Sequence, residues 1–384
     1  MENSTSARPS AHSRGKPVVP SDATRPVLAV WEMTQACDLV CVHCRACATP
    51  QRDPLELSTN EGRRLLASIS AMGTPLVVLT GGDPAKRPDL VTLVAHGVQL
   101  GLTMALTPSG TLLTTGTLLG QLKNAGLSRL AVSIDGPDAA THDAFRGVSG
   151  SYAESMRILE QARALGLSTQ VNTTLSPVNL GSIEAMAQMV ERLGAVLWSV
   201  FLVVPTGRAD SKLLLTPDAI EDALHQLADI SETYPFAVKT TAAPHFRRVL
   251  LERKAKKGII GLYDDLDPTG ALRRPLSIND GAGFVFVSHR GDICPSGFLP
   301  IPAGNVRHDS LAQVYRHHPL FVRLRDPSQL GGKCGVCPFR RVCGGSRARA
   351  YGMTGDPMAA DPLCAYVPRE WAEREAKREA KEDV

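Results

Sequence analysis

Cys37, Cys41 and Cys44 stand in the order C-x3-C-x2-C within the stretch C-D-L-V-C-V-H-C-R-A-C that ends at Cys47. Three thiolates on one short loop suit three irons of a cubane 4Fe–4S cluster and leave the fourth iron open. An open metal position binds a small molecule, as a catalytic zinc keeps one place for water. A structural zinc prefers C-x2-C pairs and a fourth ligand, and His43 is badly placed for that role beside Cys44. Cys47 reads as a small packed residue. A second group, Cys334, Cys337, Cys343 and Cys364, is spaced C-x2-C-x5-C-x20-C. Four thiolates are a complete ligand set for a closed 4Fe–4S cluster, whereas a zinc ribbon would show two C-x2-C pairs.

The elements that must position these thiols follow from the apolar pattern. Short apolar runs occur at Val27–Met33, Leu76–Leu79, Leu102–Leu106, Leu130–Ile134, Thr169–Asn172 and Leu197–Val204. The first ends just before Cys37, which puts the cysteine loop at the carboxyl end of a strand, where α/β barrels place their chemistry. Between the runs lie helix signals. Ser58 with Glu61 forms a capping box before Leu65, Leu66, Ile69 and Met72, and Gly73 closes that helix. Ser151 with Glu154 repeats the device, closed by Gly166. Ser182 opens a third amphipathic helix that Gly194 closes. Strand–helix units in series mean a parallel sheet with right-handed crossovers. Six units rather than eight predict an open, partial (β/α)6 TIM barrel; the alternative is an ordinary doubly wound sheet. The expected organisation is a disordered tail (1–24), this core (25–204), a connector (205–283), a small cysteine domain (284–368) and a charged C-terminal helix (369–384).

The chain has 384 residues, long enough for a barrel and a second domain, and a net charge of +4. That balance excludes no anionic small substrate and gives no reason to expect nucleic acid. No apolar run approaches 18 residues, so no membrane span is expected. Nine cysteines in two clusters, without an export signal, say metal rather than disulfide and a cytoplasmic location.

The C-x3-C-x2-C loop after a first strand resembles that of the radical S-adenosylmethionine (SAM) enzymes. The resemblance implies that the open iron binds the amino and carboxylate groups of SAM, which is cleaved reductively to a 5′-deoxyadenosyl radical. Gly81-Gly82-Asp83-Pro84 is similar to the family's glycine-glycine-glutamate motif, with Asp in place of Glu. Ser133 and Asp135, in S-I-D-G, resemble the family's fourth-strand SAM contact. Arg146 is the expected partner of the SAM carboxylate and Asn172 of its ribose or carboxylate. G-N-V-R-H-D-S-L-A-Q-V-Y (304–315) resembles a segment of SPASM/twitch-type auxiliary domains. The full pattern would need cysteines at Asp309 and Arg347, which implies one auxiliary cluster and leaves Cys294 as an extra or exchangeable ligand.

The run 334–357, with D-P-L-C ending at Cys364, is similar to radical SAM proteins of heme d1 synthesis and of the siroheme-dependent route to heme. It implies a carboxylated tetrapyrrole as the anionic substrate. Lys239, His245 and Arg247 at the barrel rim are expected to bind its carboxylates, with Arg340, Arg341, Arg347 and Arg349 near the second cysteine group. An electron donor such as ferredoxin or flavodoxin is implied. The rival readings are a maturase of ribosomal precursor peptides and, more remotely, a non-catalytic iron–sulfur electron carrier.

Overall fold

The computed structural model describes residues 24–261 and 277–382. All of the expected tail except Thr24, residues 262–276 of the expected connector and the last two residues of the chain lie outside that range. The first six strands are β1 (Leu28–Glu32), β2 (Leu76–Thr80), β3 (Thr103–Leu106), β4 (Arg129–Ser133), β5 (Thr169–Leu175) and β6 (Leu197–Leu202). They alternate with α1 (Thr59–Ala71), α2 (Leu90–Gln99), α3 (Gly116–Asn124), α4 (Ala139–Arg146), α5 (Ser151–Ala164) and α6 (Ile183–Leu193). All neighbouring pairs from β1 to β6 are parallel.

The period-2 pattern of the strands sorts their side chains. Trp31, Val77, Leu79, Met104, Leu106, Leu130, Val132, Val171 and Trp198 are buried in one core. Val30, Val78, Ala105, Ser133, Gln170 and Phe201 occupy alternate positions and are only partly buried, lining the concave face. Trp31 is fully buried against α1, where a Cβ on Gly62 would come within 2.5 Å of its ring. Glycine is required there by close approach.

The capping box of Ser58 and Glu61 forms as the pattern predicts. The second helix start differs. Gly150, at φ 85°, is the N-cap of α5, and Ser151 lies inside the helix. Asp143 of α4 supplies the missing acceptor, taking hydrogen bonds from the Gly150 and Tyr152 amides and the Ser151 hydroxyl. A carboxylate two turns away in space satisfies the orphan amides that a local cap would serve.

The stretch expected to be a connector carries more structure. Its amphipathic 217–233 segment forms α7 (Pro217–Thr233), as that pattern predicts, and it also holds β7 (Ala237–Thr241) and α8 (His245–Lys256), with β7 paired in parallel to β6. On the far edge β8 (Phe284–Val287) pairs in parallel with β1, followed by the antiparallel β9 (Asp292–Cys294) and β10 (Gly304–Asn305). The single sheet therefore runs β10-β9-β8-β1-β2-β3-β4-β5-β6-β7 and stays open. Helices α9 (Leu311–His317), α10 (Pro319–Leu324), α11 (Gly332–Gly335), α12 (Arg347–Thr354) and α13 (Arg369–Glu382) complete the described chain. No helix among the described residues is long and apolar enough to cross a membrane.

Replacing Trp31 by Ala removes one of the two fully buried tryptophans of this core. The expected loss is about 3–5 kcal/mol, to be read as a fall in apparent Tm against wild type at one scan rate.

Candidate active site

The cysteine loop leaves β1 and is held by backbone contacts from three sides. From the end of β2, the amides of Gly82 and Asp83 donate to the carbonyls of Thr34 (2.8 Å) and Ala36 (2.6 Å). A Cβ on Gly81 would lie 2.4 Å from the Thr34 oxygen, and one on Gly82 would lie 2.3 Å from the Ala36 oxygen. From the end of α4, the carbonyls of Phe145 and Arg146 accept from Val42 and Val40, both at 3.1 Å. Gly147, at φ 71°, lets the chain turn against Val40. From the end of β6, Gly207 at φ 62° lies against the carbonyls of Cys44 and Arg45. Its neighbour Arg208 donates to the carbonyls of Cys41 (3.2 Å) and Ala48 (3.1 Å).

The thiols point into a polar, cationic setting. Cys37 Sγ lies 3.3 Å from the Ser109 hydroxyl, and an Arg146 guanidinium nitrogen lies 3.8 Å from Cys41 Sγ. The Ala48 amide donates to Cys44 Sγ at 3.4 Å. Burial raises the Cys37 pKa against the Ser109 contact. Below the loop, Arg146 pairs with buried Asp135 at 2.5 Å. His43 stacks on Phe145 with ring centres 4.4 Å apart, and burial followed by the Arg146 charge lowers its pKa to about 4. Cys47 is exposed and takes φ 48°.

The residues expected to contact SAM divide into two sets. Asp83 is fully buried, and its carboxylate is committed to protein donors. It accepts from the Ala85 and Ser109 amides and from the Thr111 hydroxyl. It therefore orders the β3 exit behind Ser109, while its backbone and that of Gly81-Gly82 face the cysteine loop. Arg146 likewise is spent on Asp135 and Cys41, and Asp135 also accepts from the Thr174 amide. Ser133, the last residue of β4, pairs in register with Asn172 at the middle of β5, and both lie on the concave face.

Sequence reasoning missed a fourth clasp. Glu32, the last residue of β1, accepts from Arg45 at 3.0 Å and contacts His289 Nδ1 at 2.9 Å. The Arg45 guanidinium also covers the Phe286 ring at 4.8 Å. Arg45, from the cysteine loop, and His289, from the β8–β9 turn, thus meet on one buried carboxylate. A buried acid within an apolar strand was the available signal. The other missed residue is Arg208, whose signal was a Gly-Arg pair at a strand end.

Cys334, Cys337, Cys343 and Cys364 line one pocket together with His245, Arg248 and Lys333. No three His, Cys, Asp or Glu side chains among the described residues converge on a single-ion site. Four thiols around a shared space match the ligand number of a closed 4Fe–4S cluster. The Gly345 amide donates to Cys343 Sγ at 3.4 Å, and Arg347 approaches Cys334 Sγ at 3.7 Å. Cys294 stands apart on β9. Its pKa is pushed up to about 12 by burial and by the nearby acids Asp292 and Glu32.

Several cations expected to meet substrate have other partners. Arg347 is 1% exposed and donates to the carbonyls of Pro357 and Ala359, which corrects its expected role. Arg247 donates to the carbonyls of Val342 and Ile278 and so ties α8 to the cysteine domain. His245 is buried beside Asp361, and Arg349 forms a two-pronged pair with the same carboxylate. Lys239 differs from all of these. It lies in register with Ser199, on the concave face, and keeps its contact with solvent. The surrounding protein, then Arg247 and Arg129, push its pKa down.

Sheet topology and cysteine loop together define an enzyme with an iron–sulfur, SAM-binding core. Residues 31–190 match the family model of the Radical SAM superfamily. An AdoMet-dependent heme synthase from Nitratidesulfovibrio vulgaris is 40% identical over 365 residues, 94% of this chain and 98% of that protein. The chain belongs to the radical SAM superfamily, with a SPASM-type auxiliary domain, and its core takes a 4Fe–4S cluster and SAM. A PqqA peptide cyclase from Rhodopseudomonas palustris is 29% identical, with 89% of this chain and 88% of that protein covered. The fold is shared with Streptococcus suis SuiB bound to precursor peptide SuiA, at TM-score 0.70 and 16% identity over 89% of this chain and 76% of that one.

The glycine cradle gives a direct test. In Gly82→Ala the new methyl meets the Ala36 carbonyl and displaces the loop. Iron in the reconstituted protein is expected to fall by about four atoms per chain, one cubane, with the second cysteine group still loaded.

Proposed function

We propose that this protein cleaves SAM to a 5′-deoxyadenosyl radical and uses it to remove carboxylate from propionate side chains of an iron tetrapyrrole. One observation carries the reading: the 40% identity to an AdoMet-dependent heme synthase, which spans nearly the whole of both chains. The cationic, partly aromatic concave face supports it. Lys239, Phe201 and Phe286 stand on that face, with Arg45 covering the Phe286 ring. A flat apolar ring with charged arms needs such a surface.

In this reading Cys37, Cys41 and Cys44 hold the first cluster, which when bound supplies the electron that splits SAM. The backbone of Gly81, Gly82 and Asp83 and the polar ends of Ser133 and Asn172 bind SAM. Asp135 and Arg146 act one layer further out, by fixing the loop through Cys41. Lys239 takes a substrate carboxylate, since it stands on the concave face in register with Ser199 and is open to solvent. Holding a side-chain carbon beside the radical then decides the reaction. Loss of one hydrogen atom to the 5′-deoxyadenosyl radical, then of carbon dioxide and one electron, converts a propionate to a vinyl group. Cys334, Cys337, Cys343 and Cys364 would hold one auxiliary cluster, which would supply a nearby acceptor for that electron. A cytoplasmic ferredoxin or flavodoxin completes the circuit at both ends.

Anaerobically reconstituted protein is expected to hold about eight irons per chain, two cubanes. With dithionite it should release 5′-deoxyadenosine and methionine, and the Cys37/Cys41/Cys44 triple Ala variant should release neither. Mass detection after incubation with Fe-coproporphyrin III should show loss of carbon dioxide and two hydrogens per side chain. Modification of a precursor peptide instead, with no tetrapyrrole turned over, would replace this reading by peptide maturation. For Lys239→Met we expect an apparent substrate affinity weaker by roughly ten- to a hundredfold, the value of one charge-assisted contact. Cleavage of SAM in the absence of substrate should be unchanged in that variant.

A further inference from the structure

His245 opens α8, just after the β7 exit, and is 1% exposed. It shares the pocket of the four C-terminal thiols. Its Nε2 lies 3.1 Å from Asp361 Oδ2, yet neither ring nitrogen has an aligned hydrogen-bond partner among the described residues. Cys364, three residues after Asp361, lines the same pocket as the ring. Asp361 is held in place by other donors: Arg349 to both its oxygens, the Ser346 amide to Oδ2 and the Leu363 amide to Oδ1. Arg349 in turn donates to the carbonyl of Ala242, a non-glycine residue at φ 54°. The ring thus lies against a carboxylate held by other donors and lines the pocket of the four thiols.

We propose that His245 is a positioning residue for the auxiliary cluster, donating a hydrogen bond to the Cys364 sulfur and so raising that cluster's reduction potential. A donor aimed at a cluster sulfur stabilises the added electron more than the oxidised state. A buried donor acts more strongly because little water screens it. The effect is selective, since the first cluster's thiols have Ser109, Arg146 and backbone amides as neighbours instead. This inference rests on the proposed auxiliary cluster, and it explains how a cluster with buried thiols becomes an electron acceptor.

The test is a redox titration of the anaerobically reconstituted full-length protein, followed by electron paramagnetic resonance. In His245→Leu the auxiliary midpoint should move to more negative potential while iron stays at about eight per chain, two cubanes. In His245→Gln, which keeps an N–H donor, the midpoint should lie between those of wild type and the Leu variant. The signal of the SAM-binding cluster should not move in either. An unchanged auxiliary midpoint with full iron in both variants would overturn the proposal. A loss of about four irons in both would also overturn it, by making His245 a ligand or a structural residue. Wild-type protein with only about four irons would remove the auxiliary cluster itself, and the proposal with it, whatever the variants do.

Discussion

The structure depends on how closely three separate backbones approach the cysteine loop. Gly82, Gly147 and Gly207 each stand where a single added carbon would collide with a loop carbonyl. Such packing uses the polar groups that a loop at a strand end would otherwise leave unpaired. The amides of Val40 and Val42 go to α4, the carbonyls of Thr34 and Ala36 to the β2 exit, and those of Cys41 and Cys44 to Arg208 and its own amide. Three thiols must hold their places within a fraction of an ångström to match a rigid cubane. Side chains with free rotamers would not impose that, whereas fixed main-chain contacts do.

Charge is distributed around this frame with a consistent logic. Thiolate–iron clusters concentrate negative charge, and buried cations oppose it. Arg146 and Arg208 serve the first loop, and Arg347 and Lys333 the second. The cations are themselves held in place. Arg146 has Asp135, and Arg347 has two carbonyls and the turn at Gly345. Lys239 stands outside this scheme, on the concave face in register with Ser199.

Much of this was legible in the sequence because it depends on spacing along the chain. C-x3-C-x2-C, the apolar runs and the Ser58–Glu61 box are local patterns, and the elements they predict are present. What was not legible depends on contacts between distant residues. Arg347 sits near Cys334 and was read as a substrate contact, but its fate is decided by carbonyls of Pro357 and Ala359 in the following turn. Asp83 matched a motif position, yet Ser109 and Thr111 claim its carboxylate. The α5 start at Gly150 needed Asp143, whose role cannot be guessed from its own helix. Strand β7 is not legible as a strand because A-V-K-T-T breaks its apolar run with Lys239.

The strand order carries a consequence for how the chain comes together. Strand β1 gains one neighbour as soon as β2 exists, but its other edge is covered only by β8. During synthesis that edge stays unpaired until residues 284–287 have left the ribosome. An open edge invites pairing with other chains, and contacts so distant along the chain close slowly. The cysteine loop beside it meets His289 only after the same delay, through Glu32 and Arg45. Maturation thus has a built-in sequence: the first iron-binding loop is framed by β2, α4 and β6, all synthesised earlier, and the hairpin that walls it off arrives last.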